Sequence, residues 1–376
     1  MDIALETIDT FVFDYVYAKV LPYKMKLAPQ VAKFLRVQDF SKSLIDRNTG
    51  FFFPEAAAKL ATAKNPEFYG EPVFWKHAYD HVLACGSIFA RDHIIRQIIS
   101  FTIITATFGA LLYLSFATLS YLFVFDRDTF NHPRFLKNQI TLEITQALSA
   151  IPFMSLCTAP WFVAEVRGYS RMYLEVEKHG WLYLILQFPL FLMFTDCGVY
   201  LIHRGLHHKW VYKHLHKPHH KWIMPSPFAS HAFHPLDGYF QSLPYHIFPF
   251  LLPLNKISYL ILFTFINFWT IMIHDGEFLV NSPVINGTAC HTVHHLYFNY
   301  NYGQFFTLWD RVGGSYRQPE DEFFDHSLRK DEQTIRRQVG EFEKIRAKEE
   351  SADDRVYVGD TAAKKTVAVK RNTKQD

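Results

Sequence analysis

HRGLHHKWVYKHLHKPHHKW at residues 203–222, joined further along by HTVHH at 291–295, decides how this chain folds. The strings hold three motifs: His203-x3-His207, His216-x2-His219-His220 and His291-x2-His294-His295. Residues spaced i, i+3 and i+4 share one face of a helix, so each motif aims two or three imidazoles the same way. With 20 histidines in 376 residues, chance gives roughly 0.06 HxxHH windows per chain, yet two occur. A zinc-buffering tract would be low in complexity and without fixed register. A structural zinc needs four ligands and favours mixtures with cysteine. Eight boxed imidazoles oversupply one ion, whereas two metals divide them sensibly.

Outward from the motifs, the chain alternates apolar blocks with polar stretches. Ile98–Phe125, Ala147–Val166 and Trp181–Ile202 are apolar, and the first has length to spare for about 30 Å of hydrocarbon. Ala147–Val166 is broken by Pro152 and Pro160, which leaves open whether it crosses or dips. Phe240–Ile273 reads as a bent pair of segments that enters and returns, bringing His291–His295 back to the side of His203–His220. The basic residues Arg204, Lys209, Lys213, Lys217 and Lys221 assign that side to the cytosol. The sequon Asn286-Gly287-Thr288 then faces the cytosol and stays unmodified.

The expected fold is all-α: a polytopic membrane helical bundle with a histidine-rich di-metal cap. Residues 1–96 read as an interfacial lead-in with an amphipathic start (Phe11, Phe13, Tyr15, Tyr17), 97–320 as the membrane-embedded catalytic region, and 321–376 as a charged, largely disordered tail. Within that tail, 329–350 could form a solvated helix. Residues 1–20 do not read as a cleavable signal peptide. The formal net charge of +3 and the lack of any nucleic-acid fingerprint argue against a nucleic-acid partner. Cys85, Cys157, Cys197 and Cys290 show no CxxC pairing and no disulfide framework.

Further ligands are expected at His274, which ends the returning apolar segment, and at His234 in HAFHPLDG; His231 and His246 are weaker candidates. Buried carboxylates commonly orient metal-bound imidazoles by accepting their second N–H. Asp196, on the face of His203 seven residues earlier, is the first candidate for that role, followed by Asp237, Asp275 and Asp310.

The motifs and the strings PSPFASHAFHPLDGYFQSLPYH (225–246), IHDGEF (273–278) and HTVHHLYFNYNYGQFFTLWDRVGGSYR (291–317) resemble the fatty acid hydroxylase superfamily of membrane non-haem di-iron enzymes, and most closely its sterol C5-desaturase branch. The resemblance covers roughly residues 95–320, and the length and N-terminal extension resemble fungal members. It implies O2-dependent introduction of a C5–C6 double bond into a Δ7-sterol, as in ergosterol biosynthesis, by two iron ions in the endoplasmic reticulum membrane. It also implies electrons from NAD(P)H through cytochrome b5 and its reductase, with other sterol-biosynthesis enzymes as neighbours. No HPGG haem-binding stretch occurs here, so the cytochrome is a separate partner. Iron fits the chemistry because zinc has no redox couple, although imidazole alone suits iron, copper, nickel or zinc. The boxes alone would equally fit a sterol C4-methyl oxidase or another lipid hydroxylase; a metal-binding membrane protein is the non-enzymatic alternative.

Overall fold

The computed structural model describes residues 2–22, 30–31, 87–89, 91–278, 280–329 and 331–349. Apart from two-residue strand fragments, the regular structure among them is helical. Residues 32–86 of the expected lead-in and the tail from 350 onward lie outside the described residues.

Chain contacts divide into two units, Met1–Thr107 with Ser155–Met172, and Phe108–Met154 with Tyr173–Asp376. The first contains α1 (Asp2–Ile8) and α2 (Asp14–Val20), joined by a π-helical turn at Asp9–Phe13. This segment is amphipathic in an inverted sense. Phe11, Val12, Tyr15, Val16 and Val20 point outward, whereas Asp9 and Asp14 are buried. The carboxylates meet Arg91 and Arg96, with Arg96 Nη2 at 2.9 Å from Asp9 and both guanidiniums on Asp14. Charges turned inward and paired, with apolar side chains outward, suit a helix bathed in lipid rather than water.

Among the described residues, three helices are long and apolar enough to cross a membrane: α3 (Ile94–Phe123), α4 (Gln139–Val166) and α5 (Gly180–Leu206). Only 28%, 44% and 33% of their most apolar windows are buried within the protein. The remaining apolar surface, including Ile103, Leu111, Leu122, Phe153, Leu156, Leu182 and Ile185, faces outward where lipid would cover it. Contrary to the expected break, α4 runs unbroken through Pro152 and Pro160. Each proline removes one backbone donor, and a helix in apolar surroundings continues because any alternative strands many more. The segment is therefore long enough to cross rather than dip.

The hairpin is formed by α6 (Pro235–Leu251) and α7 (Lys256–Met272). Each has 17 residues, about 26 Å at 1.5 Å per residue, which is short for a full span. His234 caps α6 by accepting from Leu236 N, with Pro235 at the first helical position. Asn255 caps α7, accepting from Ile257 N at 3.0 Å and Ser258 N at 3.2 Å. The hairpin's turn is pinned to the start of α5: Tyr183 donates to Pro253 O at 2.8 Å, and Asn255 N donates to Gln187 Oε1 at 2.9 Å. Further along, α5 and α6 lie so close that a Cβ on Gly198 would sit 2.6 Å from Pro244 Cγ. From this crossing the two helices run on to the histidine end of the unit.

The cap is completed by α8 (Thr288–Tyr297), α9 (Leu308–Val312) and α10 (Glu332–Glu349). The last lies within the stretch expected to form a solvated helix, but Phe342 on it is fully buried and packs on Phe298, ring centroids 5.9 Å apart.

Pro244 is a stiff ring that cannot swing aside for a side chain at position 198. Gly198→Leu should therefore cost about 1–3 kcal/mol through overpacking, read as a lowered thermal midpoint of the detergent-solubilised protein; an unchanged midpoint would contradict this crossing.

Candidate metal centre

Among the described residues, nine histidines converge in two groups, His203, His207, His216, His220 and His294, and His219, His274, His291 and His295. Within each group one ligand atom per residue lies within 4.8 Å of all the others. The last turn of α5 supplies His203, and His207 follows at its C-cap. The π-helical turn Tyr212–His216 and the turns after it supply His216, His219 and His220. His274 follows α7 directly, and α8 carries His291, His294 and His295. The motifs are shared between the groups: His219 departs from His216 and His220, and His294 departs from His291 and His295. The groups adjoin, with ring centroids of His220 and His295 5.0 Å apart.

Hydrogen bonds fix which nitrogen of several rings faces inward. The Nδ1 of His203 lies 2.9 Å from Tyr302 O, that of His294 2.7 Å from Tyr300 O, and that of His274 2.7 Å from Thr270 O. A carbonyl only accepts, so each Nδ1 carries the hydrogen and each Nε2 is left as a lone pair. His216 is held likewise, its Nδ1 2.7 Å from Asp237 Oδ2. His294 Nε2 is buried and has no hydrogen-bond partner.

The inward nitrogens then crowd one another. His203 Nε2 lies 3.0 Å from His216 Nε2, both lone-pair atoms by the preceding argument. The corresponding distance is 2.9 Å for His274 and His291, 3.1 Å for His291 and His295, and 3.2 Å for His207 and His220. Between His203 and His216, where both tautomers are fixed, two lone pairs at 3.0 Å repel unless a cation lies between them. Protons are disfavoured on the neighbouring rings. Burial, reinforced by the neighbouring imidazoles, pushes His207, His219, His220, His291 and His295 well below the usual range. Burial also brings His274 down to about 4 and His294 to about 3. A metal ion fits instead: ligands about 2.1 Å from an ion and at right angles to each other are about 3.0 Å apart. The residues present therefore suit two metal ions with nitrogen donors, one for each group.

The carboxylates divide into different duties. Asp237 meets an imidazole, and its other oxygen accepts from Gln241 Nε2 at 2.7 Å. Asp196, expected to accept an imidazole N–H, instead takes three backbone N–H groups, from Gln304 at 3.0 Å, Phe305 at 2.7 Å and Phe306 at 3.1 Å. Asp310 takes two more, from Tyr302 at 2.8 Å and Gly303 at 2.7 Å. Gly303 is packed so tightly that a Cβ there would lie 2.6 Å from Phe306 O. Both carboxylates thus hold the loop whose Tyr302 carbonyl orients His203. Asp275 joins the end of α7 to the start of α8, accepting from Glu277 N at 2.8 Å and Thr288 Oγ1 at 3.3 Å, and burial pushes its carboxyl up to about 7.

His234, His231 and His246 lie in neither group. His234 is the α6 cap, and His231 is tied to Ser230 and Asn267. The sequon asparagine is buried, with its amide donating to Gly303 O, which keeps it from glycosylation in the folded chain. Sequence reasoning missed the orienting carbonyls of Thr270, Tyr300 and Tyr302, because every residue has one and side-chain identity does not mark it. It also missed Phe298, which adopts φ 60° just after α8 and lays its ring 5.0 Å from His220.

Replacing Asp237 with Ala leaves His216 without its orienting acceptor and should lower metal affinity about 10–100-fold, whereas Asp237→Asn, which keeps an acceptor oxygen, should lose less. Metal titration of the stripped protein checks this, and equal affinity in wild type and Asp237→Ala would count against it.

Comparisons with known proteins agree with the geometry. The family model for fatty acid hydroxylase matches residues 188–315, a span that contains all nine histidines. The Delta(7)-sterol 5(6)-desaturase of Aspergillus fumigatus is 52% identical over 97% of this chain and 99% of its own length. That of Saccharomyces cerevisiae is 50% identical over 97% of this chain and 100% of its own. A probable Delta(7)-sterol 5(6)-desaturase of Neurospora crassa is 53% identical over 95% of this chain and 97% of its own. No solved structure matches. At this level of identity along nearly the whole length, the chain belongs to the fatty acid hydroxylase family, in its branch of sterol C5-desaturases.

Proposed function

We propose that this chain introduces the C5–C6 double bond into a Δ7-sterol, using dioxygen and two iron ions held by His203, His207, His216, His220 and His294 on one side and by His219, His274, His291 and His295 on the other. The observation that carries the reading is the facing of two lone pairs between the buried imidazoles of His203 and His216, inside one of two groups of converging histidines. Iron is chosen over zinc because removing two hydrogens needs a redox couple, and nitrogen donors suit iron well. When bound, the iron pair would supply the activation of dioxygen that makes a C–H bond of the sterol breakable.

The chain's own residues set the conditions for that chemistry. The Tyr302, Tyr300 and Thr270 carbonyls and the Asp237 carboxylate keep the Nε2 atoms of His203, His294, His274 and His216 bare of hydrogen and aimed inward. Asp196 and Asp310 keep the 302–306 loop in place, so the Tyr302 carbonyl stays aligned. Phe298, covered by Phe342, closes one side of the His220 ring and keeps bulk water from the imidazoles. No side chain has to act as nucleophile or general base. The balance is one sterol, one O2, two electrons and two protons, giving the diene and two waters. Cytochrome b5 and its reductase, fed by NAD(P)H, are the electron source in this reading. The membrane is that of the endoplasmic reticulum, with the histidines on the cytosolic side, supported by the basic residues that follow α5.

The experiment is to reconstitute the protein in bilayers with iron, cytochrome b5, its reductase, NADH and a Δ7-sterol, and to analyse the products. The expected product is the 5,7-diene, and His294→Ala should reduce its formation to background. A hydroxylated or 4-demethylated sterol as the end product would defeat the desaturase reading, and full turnover in His294→Ala would defeat the ligand assignment.

A further inference from the structure

We propose that Gln139, Glu143 and Gln146, a polar stripe on α4, are positioning residues for the metal centre. They hold the stretch 218–226 so that His219 and His220, adjacent in the chain, reach different metal groups; this rests on the ligand assignment in the desaturase reading. The three lie at i, i+4 and i+7, hence on one face of the helix. Glu143 is fully buried and Gln139 nearly so, in a helix otherwise apolar enough to cross a membrane. Polar side chains in such a place are costly unless paired, and rare without a task.

The stripe grips both ends of that stretch. Gln146 Nε2 donates to Pro218 O at 3.2 Å, on the residue just before His219. Gln139 Nε2 donates to Met224 O at 2.8 Å and to Glu143 Oε1 at 2.7 Å. Glu143 accepts the Ser226 hydroxyl on one oxygen and the Ser226 N–H at 3.4 Å on the other. Ser226 in turn caps the turn Pro227–His231, its Oγ accepting from Phe228 N at 3.3 Å. Gln139 and Gln146 stand about 10 Å apart along the helix, whereas a free nine-residue stretch can extend to about 30 Å. Fastening both ends to one helix face therefore compacts the stretch into turns, in which His219 N donates to His216 O at 2.9 Å and Trp222 N to His219 O at 3.3 Å.

His219 has most need of this grip. The rings of His203, His216, His274 and His294 are each oriented by an acceptor at Nδ1. The Nδ1 of His219 is buried and has no hydrogen-bond partner. Its aim is left to the path of its backbone and to ring packing, as against Phe233 at 5.9 Å between centroids. It is also one of only four nitrogen donors in its group, while His220 serves the group of five. A slip of the backbone at 218–220 therefore disturbs both metal groups at once, and the group of four more.

The test is iron titration of the stripped full-length protein in lipid nanodiscs, with Mössbauer spectra of the loaded samples, for wild type, Glu143→Leu, Glu143→Gln and Gln146→Leu. Wild type should bind two iron ions; failure to do so overturns the ligand assignment itself, and this proposal with it. Glu143→Leu should weaken iron binding at least about tenfold, the low end of the scale for groups that orient a metal ligand. It should also change the quadrupole splitting of the iron that stays bound. Glu143→Gln keeps an acceptor oxygen and can still bond Ser226, so it should stay within about threefold of wild type. A merely structural residue would lower the thermal midpoint and leave the affinity and spectrum of the folded protein unchanged. That result in Glu143→Leu, or an equal loss in Glu143→Gln, overturns the proposal, while two-iron binding by wild type leaves the ligand assignment standing. If Glu143→Leu fails to fold, Gln146→Leu decides alone, because it is only half-buried and removes a single bond to Pro218 O. It should weaken binding about threefold or more, and unchanged binding overturns the proposal.

Discussion

Lone pairs forced together in a buried space are the constraint on which the rest of this molecule depends. His203 and His216 each give their Nδ1 hydrogen to a fixed acceptor and are left with Nε2 atoms 3.0 Å apart. Water does not resolve that arrangement, since the rings are buried. A cation does. The main architectural features follow as ways of bringing nitrogen donors to one place: a membrane helix whose last turn carries His203, a tight turn that presents His216, His219 and His220, a helical pair that leaves and comes back at His274, and a short helix with His291, His294 and His295.

Rigidity around the imidazoles comes from groups that touch no metal candidate themselves. Asp196 and Asp310 between them collect five backbone N–H groups from residues 302–306. A carboxylate buried in an apolar region is costly unless its lone pairs are filled, and consecutive amides of a loop fill them while fixing the loop's path. The aromatic layer works from another side, where Phe298 and Phe342 stack beyond His220. Phe298 holds φ 60°, a conformation rare for such a residue, and the packing of its ring on both sides is the visible compensation.

Much of this was legible in the sequence because histidine spacing and apolar length are properties of side chains. The all-α architecture, the three long apolar segments and the returning pair all followed from runs such as Ile98–Phe125 and Phe240–Ile273. The eight boxed histidines and His274 are the nine that come together. His234 was misleading because a histidine beside proline serves as well for a helix cap as for a ligand, and periodicity does not separate the two. Asp196 stood on the right helix face, yet its partners are amides of a loop more than a hundred residues later, a pairing that only the fold creates. Pro152 and Pro160 suggested a break because the rule for water-exposed helices was applied to one with apolar surroundings. The division of two motifs between the two groups could not be read either, since His219 and His220 are adjacent and their separation depends on the turn that carries them.

Extended X-ray absorption at the iron edge, combined with metal quantitation on the purified, iron-loaded protein, tests the central claim most directly. The account predicts two iron ions per chain, each surrounded by imidazole nitrogens at about 2.1 Å and neither with sulfur ligands. A single ion per chain, or iron bound mainly by carboxylate or sulfur, would contradict it.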